Sequence, residues 1–79
     1  MTKFLLISGD SEKEKIVMEV FPADEVIVSA DETMIFDVLK VEEPDIVIVD
    51  GDIETLDLKP LCRKIKQYPV VIILLLGEK

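Results

Sequence analysis

The sequence predicts an α/β fold, a three-layer sandwich in which a parallel sheet of four strands is covered on both faces by three helices. Three observations predict it. The apolar runs KFLLIS, EVIVS, DIVIV and VVIILLL alternate with amphipathic segments in the order βαβαβαβ. These runs are apolar on both sides of the strand, the pattern of parallel strands buried beneath helices. No linker, repeat or low-complexity stretch interrupts the alternation, so residues 1–79 read as one domain.

The first strand is KFLLIS, residues 3–8. SEKEKIVMEVF follows, with Ser11 and Glu14 at capping-box spacing and Ile16, Val17, Val20 and Phe21 on one helical face. Its Lys and Glu residues read as a solvated face with weak ion pairs, and Pro22 stops the helix. EVIVS, residues 25–29, is the second strand. Ser29 and Glu32 repeat the box spacing before TMIFDVLKV, where Met34, Ile35, Val38 and Leu39 share a face. Pro44 ends that segment and DIVIV is the third strand. Asp57 is placed to cap a third helix whose Leu58, Leu61, Cys62 and Ile65 fall at i, i+3, i+4 and i+7. Pro60 is tolerated in its first turn, where the missing N–H has no helical partner. Pro69 leads into a fourth strand at residues 70–76.

Composition excludes several functions. A net charge of −8 offers no basic surface for nucleic acid or an anionic membrane, and suits a bound cation or a basic partner. The longest apolar run has seven residues, far short of the roughly 20 that span a bilayer, and no signal peptide precedes it. A lone cysteine, Cys62, forms no internal disulfide, fits a reducing cytoplasm, and lies on the apolar stripe of the third helix. Without histidine there is no Ser-His pair to activate Ser8, no Cys/His metal cluster exists, and neither phosphate-loop motif occurs. The chain is therefore expected not to be an enzyme. Abundant Glu and Lys, with no Asn or His, suit a thermophilic source.

The stretch PDIVIVDGDI carries the chemistry. In parallel sheets the ligand crevice lies outside the carboxyl ends of the strands. Asp10 follows the first strand, and Asp50 and Asp52 follow the third, so three carboxylates are expected at one end of the sheet. They are the candidate magnesium site, since a hard divalent cation binds carboxylate oxygens and water. The alternatives are a helix-capping role for Asp10 and a turn role for Asp52 beside Gly51.

At this point ETMIFDVLKVEEPDIVIVDGDI resembles the second helix, Pro-Asp, third strand and terminal aspartate of response-regulator receiver domains, which are flavodoxin-like (CheY-like). KFLLIS is similar to their first strand, LDLKPLCRKIK to the following helix, and YPVVIILL to the fourth strand with its leading proline. The resemblance covers nearly the whole chain, most specifically Pro44, Asp45 and Asp50. It implies a truncated flavodoxin-like sheet in the order 2-1-3-4. It also implies Asp50 as the phospho-acceptor of a partner histidine kinase, and Asp52 at the position whose backbone carbonyl binds magnesium. The pattern is degenerate: Ser8 and Gly9 stand where receivers carry an acid pair, and Leu76 where they carry a hydroxyl. Ile53-Glu54 replaces Met-Pro, and the sequence stops at Lys79, before the strand that bears the family's lysine.

Three functions follow as expectations. The first is a degenerate receiver-like module of two-component type that signals through protein–protein contact. The second is a working magnesium-dependent phospho-acceptor using Asp50. The third is a half-size flavodoxin-like assembly module without catalytic role. With so few acidic ligands, magnesium binding is expected to be weak. In the order 2-1-3-4 the fourth strand is an apolar edge, and residues 70–76 are expected to pair with a second copy or a partner protein.

Overall fold

The computed structural model describes residues 2–75. Its elements are β1 (Lys3–Ile7), α1 (Ser11–Val20), β2 (Glu25–Ser29), α2 (Glu32–Val41), β3 (Ile46–Asp50), α3 (Leu58–Ile65) and β4 (Val71–Leu75). All strand pairs are parallel and the order is β2-β1-β3-β4, as the sequence and its resemblance imply. Strand four was expected over 70–76; Leu76 lies outside the described residues.

The pleat sorts side chains into two cores. Leu5, Ile7, Val47 and Val49 meet α2 and α3 through Ile35, Val38, Leu39, Leu61 and Ile65. Phe4, Leu6 and Ile48 meet α1 through Val17. Phe21 stacks on Phe4 with ring centroids 4.4 Å apart. Cys62 is half-buried against the larger core, as its place on the apolar stripe implies. Asp45 ties the opposite end of the sheet, accepting from the Lys3 N–H through its side chain at 3.0 Å.

The capping boxes expected at Ser11 and Ser29 do not form, while the capping alternative for Asp10 holds. The N-cap of α1 is Asp10, whose carboxylate accepts from the Glu12 N–H, and that of α2 is Asp31, which accepts from Thr33 and Met34. A carboxylate both satisfies the orphan N–H groups and complements the positive end of the helix, so it displaces the neighbouring hydroxyl from that role. The serines act one step earlier. Ser8 Oγ accepts from the Asp10 N–H at 3.1 Å, and Ser29 Oγ from the Asp31 N–H at 3.2 Å. The first two strand-to-helix junctions are thus Ser-x-Asp turns. Asp57 occupies the third N-cap position but makes no side-chain capping bond.

Burial also departs from the pattern. Of the four residues expected on one face of α1, only Val17 is buried, while Ile16 and Val20 are 58% and 62% exposed. Met34 on α2 is likewise exposed. Edge strand β4 is largely uncovered, with Val71 at 60%, Ile73 at 40% and Leu74 at 50%. On the α1 side one helix cannot cover four strands, which leaves Val71 and Ile73 open; Leu74, in register with Val49, faces the other side at the outer margin of α3.

The chain leaves α2 through Glu43, whose φ of 47° is in the left-handed region where glycine is favoured. A side chain there is strained, while glycine loosens the unfolded chain; the net favours glycine by about 0.5–1 kcal/mol. Glu43→Gly is therefore expected to raise stability by that amount in urea unfolding, with the slope of the transition unchanged.

Candidate functional site

Alternation along the two central strands builds the site. On β3, Ile48 packs beneath α1, so Asp50, two residues on, faces the same side at the carboxyl end. On β1, Phe4 and Leu6 occupy that face and Ser8 follows in step. Asp50 and Ser8 are 3% and 2% exposed. Ser8 Oγ donates to Asp50 Oδ2 at 3.0 Å.

Helix α1 supplies the counter-charge. Lys13 precedes the buried Val17 by four residues, so it lies on the same face one turn closer to the N-terminus. Its Nζ donates to Asp50 Oδ1 at 2.7 Å and to Asp52 Oδ2 at 2.9 Å. The Asp52 N–H also donates to Asp50 Oδ1 at 2.9 Å. Gly51 N–H closes the turn on the Leu75 carbonyl at 2.7 Å. A Cβ on Gly51 would stand 2.5 Å from that oxygen, so glycine is what lets β4 approach the end of β3.

These contacts set the charges. Burial pushes the Asp50 carboxyl up, but the Lys13 ammonium, the Asp52 N–H and the Ser8 hydroxyl together hold it below its ordinary value. Hydrogen bonds to Asp50 and Asp52 outweigh desolvation at Lys13 and carry its ammonium well above its ordinary 10.5. At neutral pH the site is an ion pair with a second acceptor.

Asp10, Asp50 and Asp52 do line one open cleft of about 290 Å³, together with Lys13 and Thr55. Their carboxylates are not gathered on a common point: Asp10 caps α1, and Asp50 and Asp52 share the lysine. Among the described residues no group of three or more Asp, Glu, His or Cys side chains is placed to hold a metal ion. With the Lys13 ammonium held between Asp50 and Asp52, these side chains stand as an ion pair and not as an open ligand set for the magnesium ion that the receiver resemblance implies. A positive group already stands where the ion would need two carboxylates.

The sequence reading missed Lys13 by placing it on a solvated helix face; its side chain is 26% exposed and its charge is engaged. Two signals pointed to it. It continues the stripe through Val17 toward the strand ends, and a lysine in a first turn opposes the helix dipole unless a carboxylate faces it.

No family model and no curated protein matches the sequence. Among solved structures the chain is similar to the NMR structure of the pseudo-receiver domain of the CikA protein, with a TM-score of 0.78. The chain has the receiver fold. The likeness covers 100% of this chain and 72% of that one at 17% sequence identity, which makes it a likeness of fold. No helix among the described residues is long and apolar enough to cross a membrane.

The shifted groups give stability a defined pH profile. With its native value below that of the unfolded chain, about 3.9, Asp50 contributes fully above pH 4 and loses its contribution as pH falls through the native value. Lys13, raised in the native state, contributes fully below 10.5 and loses its contribution as pH rises through its native value. Urea midpoints for the wild type and Asp50→Asn are expected to differ most at neutral pH. The gap should narrow steadily below pH 4, where the carboxyl becomes a neutral isostere of the amide.

Proposed function

We propose that the protein is a degenerate receiver-like signalling module, acting in the cytoplasm through protein–protein contact rather than through efficient phosphorylation or catalysis. The observation that carries this reading is the enclosure of Asp50. Its carboxylate stands where the sequence resemblance puts a phospho-acceptor, yet it is 3% exposed and bonded to Lys13, Ser8 and the Asp52 N–H. Phosphorylation would require it to leave the ammonium and attack phosphorus while the surroundings offered the phosphoryl oxygens few preorganised donors. The single domain then works as a constitutive shape. A histidine kinase, if it meets the domain, is a docking partner more than a phosphate source.

The contact surface we assign is β4, and its occupant a second copy of the chain. The strand is the sheet edge in the order found, with Val71, Ile73 and Leu74 exposed and no charge or proline from Val71 to Leu75. Unprotected apolar edges recruit another strand. A two-fold axis through the middle residue, Ile73, would bring apolar side chains together without opposing the charges of this acidic chain.

Two experiments test the reading. Acetyl phosphate with magnesium would transfer its phosphoryl group to the Asp50 carboxylate and release acetate. Intact-mass spectrometry is expected to find little adduct, and rapid stoichiometric labelling abolished by Asp50→Asn would overturn the degenerate assignment. Light scattering coupled to gel filtration is expected to find a dimer that Ile73→Lys converts to monomer, because the substitution sets two like charges across the axis. A wild-type monomer at high concentration would remove β4 as a self-association surface.

A further inference from the structure

We propose that the Lys13 ammonium is a resident cation that takes the place of a divalent ion at Asp50 and Asp52, and that a divalent cation gains this site only when the ammonium is removed. The inference deepens the reading of Asp50 as an enclosed carboxylate and rests on it.

The geometry carries the argument. An ammonium donates up to three hydrogen bonds, and Lys13 spends two of them on Asp50 Oδ1 at 2.7 Å and Asp52 Oδ2 at 2.9 Å. Those two oxygens come from different strand-end positions and converge on one point. Magnesium keeps several of its waters and is bound through one or two carboxylates, so this pair offers it a partial, water-completed site once the ammonium is gone. Both cannot be present together: a divalent ion bridging these oxygens would lie against the ammonium and repel it strongly in a partly desolvated site.

Competition between the two favours the lysine. Lys13 is delivered by the backbone of α1, so its local concentration does not depend on solution conditions. Moving it aside would leave a lysine in the first turn of α1, opposed by the helix dipole and without its carboxylates. It would also strip the buried Asp50 of its counter-charge. A magnesium ion sheds hydration water reluctantly and has no such tether. The state of the site is thus independent of metal concentration.

Paramagnetic Mn²⁺ and diamagnetic Mg²⁺ are the probes, followed on amide NMR signals of Gly9, Asp10 and residues 50–53. In the wild type, millimolar Mg²⁺ is expected to leave these signals in place and Mn²⁺ to broaden them no more than other acidic surface. Lys13→Met keeps an unbranched apolar stem and removes the charge. It is expected to bring selective broadening and shifts at these residues, with a midpoint lower by roughly tenfold or more. Adding Asp50→Asn should abolish the gain. Equal midpoints in wild type and Lys13→Met would overturn the proposal. So would submillimolar Mg²⁺ binding at these amides in the wild type, a measurement that does not depend on any variant folding. Neither titration involves a phosphodonor, so labelling of wild-type Asp50 by acetyl phosphate would remove the degenerate reading while leaving the metal result to judge the lysine.

Discussion

Keeping Asp50 ionised while it is almost wholly withdrawn from water is the constraint on which the carboxyl end of the sheet depends. A lone carboxylate there would take up a proton or pull the strand end open. The compensation comes from three places: Ser8 after β1, Lys13 in α1, and the N–H of Asp52 in the turn that follows β3. The Asp52 N–H is local to the turn, but Ser8 and Lys13 are 42 and 37 positions from Asp50, so they are in position only once β1, β3 and α1 have come together. The Gly51 N–H then ties the same turn to the end of β4. One polar cluster thereby registers three strands and a helix, which apolar contacts alone specify less sharply.

The cluster also explains how α1 is held. The helix has one fully buried apolar residue, Val17, against a core on the other face of the sheet that engages five residues of α2 and α3. Phe21 adds an aromatic contact just beyond its last turn. Apolar area is therefore scarce on the α1 side, and the ion pair fixes the end of the helix that Val17 and Phe21 do not reach. Lys13 would disfavour the first turn by itself; Glu12, Glu14 and the Asp10 cap favour it. The helix start is a balance between these local charges and the carboxylates across the cleft.

How much of this the sequence reveals differs by physical cause. Strand and helix order, the parallel sheet and the position of Asp50 are legible because they follow from periodicity and from runs apolar on both faces. The caps are displaced because Asp10, one residue before Ser11, accepts from the orphan helix N–H and adds a negative charge that the helix start favours, although it lacks the box spacing. Ile16 and Val20 read as core because a helical stripe says which residues share a face, and not how much sheet lies beneath them. Lys13 was hidden for a different reason. A charged residue between two glutamates looks solvated in one dimension, and the carboxylates that claim it are 37 and 39 positions away.

A fold that survives at 17% identity to its structural neighbour does so because its requirements are coarse: alternating apolar strands, amphipathic crossovers and short turns. The site has no such tolerance, because a carboxylate buried at the strand ends must be neutralised by something. With Ser8 and Gly9 after β1, this chain lacks the acid pair that would favour an exchangeable metal ion there, and Asp50 is left needing a single positive charge. A lysine reaching down from the first turn of α1 supplies it at hydrogen-bonding distance and docks the helix in the same contact. Because the counter-charge is tethered, the neutralised state is a property of the folded chain. Chemistry at Asp50 and the docking of α1 are then one interaction, so the carboxylate cannot be freed for reaction without loosening the helix that covers it.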